Sequence, residues 1–95
     1  NKWQATGRSQ EIMALEPLAD KWKSFGWEVD EIDGHDFNSI DNAYKKSKSK
    51  SHKPKIIICH TTKGKGVSFM EDDNNWHYRV PNEKELNAAL SEMEN

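Results

Sequence analysis

Hydrophobic residues follow a helical spacing in the first part of the chain and then a strand spacing. Residues 15–25 place an apolar residue every three or four positions, with Pro17 in the first turn and Gly26 just past the end, which predicts a first helix. Residues 27–33 alternate apolar and polar positions before an Asp33-Gly34 pair, which predicts a strand and a turn. The apolar face of the first helix comprises Leu15, Leu18, Trp22 and Phe25.

The second half repeats this order of a helix and a strand. Asp36 can cap a second helix, whose pattern ends in the lysine-rich segment 45–55. Residues 55–61, "KIIICHT", form a short continuous apolar run, which predicts a strand buried on both faces of a parallel sheet. Asn82 with Glu85 three residues later predicts a capping box at the start of a third helix. The apolar positions of these two helices are Phe37, Ile40, Ala43 and Tyr44, and Leu86, Ala89, Leu90 and Met93.

The order of helix, strand, helix, strand, long loop and helix is typical of a parallel α/β fold. In such folds ligands bind outside the carboxyl ends of the strands. The stretch "HTTKGKGVSFMEDDNNWHYRVP", residues 60–81, leaves such an end and has no hydrophobic period. Structureless loops of this length are usually functional or disordered, so the loop is where we expect a binding site.

Composition narrows the classes of protein that this chain can represent. Its 95 residues are 34% hydrophobic and 32% charged, with a mean hydropathy of -1.04, so its own core must be thin and we expect it to lean on other parts of a larger protein. A net charge of -2 argues against nucleic acid or an anionic membrane as a partner. One cysteine, Cys59, excludes a disulfide framework, and no stretch suits a membrane helix. We therefore expect a soluble, cytoplasmic protein.

The loop carries groups that could bind an anion. Gly64 and Gly66 allow a close approach of the backbone, and Lys63 and Lys65 beside them could pair with phosphate oxygens. The spacing fits neither a P-loop nor the GxGxxG fingerprint, and taken alone it favours a solvated turn. His77 could carry a proton near neutral pH, although an isolated loop histidine is more often exposed or packed.

Other polar groups receive simpler interpretations. The "MEDDNN" segment, residues 70–75, could hold a hard cation, but it lacks the EF-hand pattern, which favours solvated carboxylates. The lysines of residues 45–55 favour a solvated helix end over a nucleic-acid surface. His35 in "DGHD" has no second histidine at ligand spacing, which favours a role in the turn.

Three segments, taken with their spacing, resemble the transketolase family of thiamine-diphosphate enzymes. They are "LEPLADKWKSFGWEVDEIDGHD", "KPKIIICHTTKGKGVSFMED" and "WHYRVPNEKELNAAL", and the resemblance covers essentially the whole chain. It implies that residues 1–95 are the C-terminal portion of the diphosphate-binding domain, an α/β, Rossmann-like domain with a parallel sheet, in the short bacterial or archaeal form often made as separate halves. The family's upstream GDG motif is absent, so the resemblance implies a fragment.

The same resemblance implies roles for four residues. "NKWQ" matches the family's N-x-L/I-Q segment, so Asn1 resembles the side-chain ligand of Mg²⁺ at the cofactor and Trp3 the residue that offers the metal its backbone carbonyl. Lys63 matches the lysine near the cofactor diphosphate, and His77 matches the histidine that contacts both cofactor and sugar and takes part in catalysis. Trp3 departs from the usual Leu or Ile, and Tyr78 from the usual Gly, which leaves substrate specificity less defined than the cofactor.

The implied activity is transfer of a two-carbon ketol unit from a ketose phosphate to an aldose acceptor, with thiamine diphosphate and Mg²⁺. Family active sites form between two protomers, so the implied partners are the missing upstream portion and the pyrimidine-binding domain or partner half, in a homodimer or heterotetramer. We expect the isolated chain to be inactive. Two alternatives stay open: a truncated, non-catalytic interaction module, and a related enzyme such as a deoxyxylulose-phosphate synthase.

Overall fold

The computed structural model describes residues 1–94, which divide into two compact units. One unit runs from Leu15 to Thr61, and the other combines Asn1–Ala14 with the segment that begins at Thr62. The elements are, in chain order, β1 (Trp3–Gln4), β2 (Gly7–Arg8), α1 (Ser9–Ile12), α2 (Leu18–Ser24), β3 (Glu28–Asp33), α3 (Phe37–Ser47), β4 (Lys55–His60), a 3-10 helix (Asn74–His77) and α4 (Glu83–Met93).

The unit of residues 15–61 contains the predicted parallel sheet. Strands β3 and β4 pair in parallel, from Glu28 opposite Lys55 to Asp33 opposite His60, and α3 connects them. Parallel strands need a crossover connection of this kind. The α/β class is therefore confirmed, with both strands within a residue of the predicted bounds.

Helix α3 begins where the sequence indicates. The Asp36 carboxylate accepts hydrogen bonds from the backbone N–H groups of Asn38 and Ser39, at 3.2 and 3.0 Å, which satisfies donors that the first turn leaves unpaired. The Ser39 hydroxyl and these two N–H groups lower the pKa of Asp36. The carboxylate therefore stays ionised at neutral pH and caps the helix.

The first predicted helix is shorter than its apolar pattern. Helix α2 covers Leu18–Ser24, so Leu15 and Phe25 lie outside it and their assignment to one helical face was wrong. Pro17 stands at the N-cap in an extended conformation, because proline disfavours helical geometry in the residue before it. Phe25 keeps 80% of its surface exposed, while the rings of Trp22 and Trp27 meet edge to face at 4.8 Å.

Burial of β4 on both faces was also a wrong prediction for this chain. The strand is half-buried from Lys55 to Ile58 and exposed at Cys59 and His60, because the sheet has two strands and each lacks a further neighbour among residues 1–94. The expectation of a thin core is confirmed. Within the described chain the buried hydrophobic residues are Ala19, Ala43, Val67 and Ala89.

The other unit joins an N-terminal hairpin to the long loop and the last helix. Strands β1 and β2 pair antiparallel, Trp3 opposite Arg8, and the short helix α1 follows directly. The hydrophobic pattern indicated none of these elements, since two-residue strands are too short to show a period. Helix α4 carries the predicted capping box: Asn82 accepts from the Glu85 N–H and Glu85 accepts from the Asn82 N–H, both at 2.9 Å.

None of the helices found in residues 1–94 combines the length and the apolar composition needed to cross a bilayer.

Candidate functional site

The loop after β4 is a chain of tight turns rather than an open coil. Backbone hydrogen bonds run from Lys65 N–H to Thr62, from Val67 N–H to Gly64 and from Met70 N–H to Val67, at 3.3, 3.2 and 2.9 Å. Val67 is buried at the centre of these turns. Because most of its backbone groups are satisfied internally, the loop can hold side chains in fixed positions.

Gly64 is the position where the turns leave no room for a side chain. Its φ is +70°, and a Cβ there would overlap the carbonyl oxygen of Met70 and lie 2.6 Å from the Met70 carbonyl carbon. Gly66 also has a positive φ, +98°, but faces open space. The two glycines therefore serve different purposes: Gly64 allows close packing, and Gly66 allows an unusual backbone conformation.

The two lysines of the loop have different surroundings. The Lys65 ammonium lies 3.4 Å from the Glu71 carboxylate, which also accepts a hydrogen bond from the Gly66 N–H at 3.1 Å. Lys63 is half-buried, and in the part of the chain that the structure describes no carboxylate pairs with its ammonium group. Lys63, the residue that the resemblance singled out, is thus the lysine whose charge is available to an anion.

The N-terminal residues form a turn of their own. The Asn1 side-chain oxygen Oδ1 accepts from the Trp3 backbone N–H at 3.0 Å, and Lys2 between them has a φ of +66°. A carbonyl oxygen has two lone pairs, so one bond leaves acceptor capacity at Oδ1. The predicted metal residues Asn1 and Trp3 are therefore held in one local turn.

Asp72 joins this N-terminal turn to the loop. Its carboxylate accepts both guanidinium N–H groups of Arg8 at 2.6 Å each and the Trp3 indole N–H at 2.9 Å. The Asp72 backbone N–H donates to the Lys63 carbonyl at 2.8 Å. The Arg8 guanidinium, and after it the Trp3 indole, lower the pKa of Asp72 to about 2, so the carboxylate is ionised at neutral pH.

The predicted catalytic histidine lies further along the loop. His77 ends the 3-10 helix, is exposed, and meets the Tyr78 ring edge to face at 4.4 Å. Its neighbour Trp76 donates its indole N–H to the Phe69 carbonyl at 3.1 Å, and the Arg79 guanidinium lies 4.2 Å from the centroid of the Trp76 ring. The residue before His77 is therefore anchored to the loop while the imidazole itself faces outward.

Arg79 extends this anchorage to α4, because its guanidinium pairs with the Glu85 carboxylate of the capping box. The backbone N–H of Asn82 and the Arg79 guanidinium lower the pKa of Glu85, which keeps the carboxylate ionised. The segment that carries His77 is thus fixed at both of its ends.

The structure brings together some of the predicted residues and leaves others apart. Trp3 and Lys63 meet through Asp72, and Asn1 joins them through its bond to Trp3. His77 belongs to the same compact unit, without a hydrogen bond to any of the three. Residues 1–94 contain no group of three or more His, Cys, Asp or Glu that could hold a metal, so this segment has no complete carboxylate or imidazole metal site.

Sequence reasoning missed Arg8 and misinterpreted the acidic segment. Each of its three carboxylates has a protein partner: Glu71 pairs with Lys65, Asp72 with Arg8, and Asp73 accepts from the Asn75 N–H at 2.9 Å to cap the 3-10 helix. The cap was detectable from the sequence, since Asp is a preferred residue before a helix. The Arg8–Asp72 pair spans 64 residues and has no local pattern.

The interpretation of His35 is consistent with the structure. The Asp33 carboxylate accepts from the His35 backbone N–H at 2.8 Å, which closes the turn after β3.

Comparison with known proteins defines the family. The model of the transketolase thiamine diphosphate binding domain matches residues 1–93. The chain is 39% identical over 93 residues to an apulose-4-phosphate transketolase subunit of Phocaeicola vulgatus, covering 98% of this chain and 33% of that protein. It is 45% identical over 94 residues to the 6-deoxy-6-sulfo-D-fructose transketolase subunit SqwG of a Clostridium species, covering 99% of this chain and 34% of that protein.

The chain thus spans about a third of the length of the curated relatives it matches. The family match extends from the N-terminal turn through the loop to α4, and so includes every residue of the site described above. This chain belongs to the transketolase family and lies within its thiamine diphosphate binding domain.

Proposed function

We propose that residues 1–95 form the C-terminal portion of the diphosphate-binding domain of a transketolase. The complete enzyme would transfer a two-carbon ketol unit from a ketose phosphate to an aldose acceptor, with thiamine diphosphate and Mg²⁺. The observation that carries this proposal is the half-buried Lys63 ammonium, which is not paired with a carboxylate in the described chain and is held beside the N-terminal turn. A lone cation on a rigid loop suits a bound diphosphate.

The donor set also fits Mg²⁺ as one part of a site. The Asn1 amide oxygen and the Trp3 backbone carbonyl are hard oxygen ligands, which Mg²⁺ prefers, and the ion commonly takes further ligands from phosphates and water. Asp72 is not free for this purpose, because Arg8 and Trp3 occupy its oxygens. Asn1 and Trp3 would therefore supply two ligands, and the remaining protein ligand would come from outside residues 1–95.

The chain's residues would divide the remaining work between them. Bound thiamine diphosphate supplies the reactive carbon centre. Lys63 would balance the charge of the diphosphate, and His77 would donate a hydrogen bond to a substrate oxygen and move a proton there. The outward-facing imidazole, on a segment fixed through Trp76 and Arg79, supports this role for His77.

The partners in this proposal are the rest of the transketolase and sugar phosphates. Two relatives are named as one of the subunits of an apulose-4-phosphate transketolase, which supports a partner subunit that carries the pyrimidine-binding half. The complete enzyme would then be a homodimer or a heterotetramer, with its active site between protomers.

The proposal is tested in the complete subunit that contains this sequence, together with its partner subunit. Calorimetric titration with thiamine diphosphate and Mg²⁺ measures binding, and a two-carbon transfer assay measures turnover. We expect Lys63→Ala to raise the Kd of thiamine diphosphate about 10-fold or more, because it removes a charge-assisted hydrogen bond. Lys50→Ala, which removes an exposed lysine of the segment 45–55, should leave this Kd unchanged.

His77→Ala should lower turnover by about 10²-fold or more, as expected when a positioned proton donor is removed. His52→Ala removes an exposed histidine of the segment 45–55 and serves as the matched control. An assembled enzyme without affinity for thiamine diphosphate would refute the cofactor assignment and favour a non-catalytic interaction module. Binding without transfer to any aldose would favour a related thiamine-diphosphate enzyme such as a deoxyxylulose-phosphate synthase.

A further inference from the structure

The contacts of Asp72 go beyond what charge balance requires. One carboxylate accepts three side-chain N–H bonds, two from Arg8 and one from the Trp3 indole, at 2.6 to 2.9 Å. The Arg8 guanidinium also lies 3.7 Å from the centroid of the Trp3 ring. Arg8, Trp3 and Asp72 therefore form a closed triangle, called here the Asp72 clamp, in which each member contacts the other two.

The clamp fixes the N-terminal turn from its side-chain end. Trp3 and Arg8 lie opposite each other in the β1–β2 hairpin, so both strands of the hairpin are tied to the same carboxylate. The Ser9 N–H donates to the Lys2 carbonyl at 2.9 Å, which closes the hairpin beyond this pair. The direction of the Trp3 backbone carbonyl is thus set by a side chain that lies 69 residues away in the sequence.

The other end of the clamp is the backbone of the loop. Asp72 has a φ of +56°, a left-handed conformation uncommon for residues other than glycine but tolerated by Asp and Asn. In this conformation its N–H reaches the Lys63 carbonyl at 2.8 Å. One residue therefore contacts both the segment that carries the expected metal ligands and the lysine expected at the diphosphate.

Asn74 makes a second link in the same direction. Its side-chain amide donates to the carbonyl oxygens of Gln4 and Ala5, at 3.3 and 3.1 Å. The hairpin is therefore bonded to the loop at both of its strands and at its turn, so the two segments are expected to move together.

From this geometry we propose that Asp72 is a positioning residue of the cofactor site, which holds the Trp3 carbonyl and the Asn1 amide in register with Lys63. It does not touch the metal or the diphosphate itself. This inference rests on the proposed function and extends it to three residues, Arg8, Asp72 and the indole of Trp3, that neither the family match nor the expected ligand set assigns. It also gives the unusual Trp3 a role, since an aliphatic side chain has no N–H to donate.

A stabilising role alone would be a weaker explanation. The side chains of Arg8 and Asp72 retain 37% and 52% of their exposure, and exposed ion pairs contribute little to folding. A bidentate pair with a third donor instead restricts orientation, which is what a ligand carbonyl requires. Removing the outer partners of metal ligands typically weakens metal affinity about 10- to 100-fold.

The experiment uses Asp72→Asn in the complete subunit together with its partner. Asparagine tolerates the left-handed conformation and keeps one acceptor oxygen, but it loses the charged, bidentate pair with Arg8. The Kd of Mg²⁺ is measured calorimetrically at saturating thiamine diphosphate, and turnover at saturating Mg²⁺ is measured separately. We expect the Kd of Mg²⁺ to rise about 10-fold or more while saturated turnover stays within about twofold, because Asp72 touches neither substrate nor cofactor.

Two further variants divide the clamp into its parts. Trp3→Phe keeps the ring and the backbone carbonyl but removes the indole N–H, and Arg8→Lys keeps the charge but removes the fork of two bonds. Each should raise the Kd of Mg²⁺ by a smaller factor than Asp72→Asn. Asp41→Asn is the control, because it makes the same substitution at an exposed ion pair, with Lys45 in α3, and should leave the Kd unchanged.

Hydrogen exchange without cofactor provides a readout independent of binding. In Asp72→Asn the amides of residues 3–9 should exchange faster than in the wild type, while those of α3 should not change. If Asp72→Asn fails to fold, Trp3→Phe replaces it in both measurements.

An unchanged Kd of Mg²⁺, or an equal rise in Asp41→Asn, would overturn the positioning role while the proposed function stands. A loss of saturated turnover with an unchanged Kd would overturn it as well, because it would place Asp72 in the chemical step. A wild-type enzyme that binds neither Mg²⁺ nor thiamine diphosphate would refute the proposed function, and this inference with it.

Discussion

Replacing Gly64 with alanine should disrupt the loop far more than the same change at Gly66, and the comparison separates two physical effects. Backbone conformation alone predicts the opposite order, because the φ of Gly64, +70°, lies closer to the left-handed well of L-residues near +57° than the +98° of Gly66. Available space predicts that Gly64 is the sensitive position. A methyl group there would meet the Met70 backbone, whereas a methyl at Gly66 has nothing within 4 Å.

The magnitude follows from what must move. A left-handed alanine costs about 1–2 kcal/mol at either position. At Gly64 the Met70 carbonyl must also shift, which endangers the bond that it accepts from the Asp73 N–H at 3.3 Å, and a lost hydrogen bond adds about 1 kcal/mol. We therefore expect Gly64→Ala to lower the free energy of unfolding by about 2–4 kcal/mol and Gly66→Ala by about 1–2 kcal/mol.

Urea unfolding of the complete subunit measures both values, and titration with thiamine diphosphate reports on the position of Lys63. Gly64→Ala should also weaken cofactor binding, because Met70 and Lys63 belong to the same set of turns. Equal losses of stability in the two variants, or a larger loss for Gly66→Ala, would show that conformational strain dominates and that close packing at Gly64 does not matter.

Three further predictions concern the caps and the anchor of the loop. The cap of Asp36 is complete above its unfolded pKa of 3.8 and is lost as pH falls through its lower folded pKa, so Asp36→Ala should flatten the acid limb of the stability curve; a pH profile that does not change would contradict this. Asn82→Ala should cost about 1 kcal/mol in urea unfolding, and Glu83→Gln, which leaves the capping box intact, should cost less. Trp76→Phe removes the bond to the Phe69 carbonyl and should lower turnover without a matching rise in the Kd of thiamine diphosphate; the assays of the proposed function test it.

The sequence predicted the elements whose information is local. Strands β3 and β4, helix α3 and helix α4 appear where the periodic patterns and the caps at Asp36 and Asn82 place them. These signals lie within a few residues of each other, and they act through backbone N–H groups that any such helix leaves unpaired. The error at α2 has a local cause too, since Pro17 outweighed the apolar spacing around it.

The candidate site was predictable only through family resemblance. Motif spacing favoured a solvated turn for the lysines and glycines and solvated carboxylates for residues 70–75. The structure distinguishes Lys63 from Lys65 by the carboxylate of Glu71, which pairs with the second lysine. No pattern in "KGKG" contains that difference, because it depends on where a turn returns the chain five residues later.

The α/β order, the capped helices and the family membership can all be read from the order of the amino acids. The meeting of the N-terminal turn with the loop cannot, because it depends on a carboxylate that Arg8 and Trp3 share across more than sixty residues. Helix and strand patterns repeat over two to four residues, so a short stretch of chain is enough to reveal them. A bidentate ion pair depends instead on the relative placement of two distant backbones, which the packing of the folded unit sets.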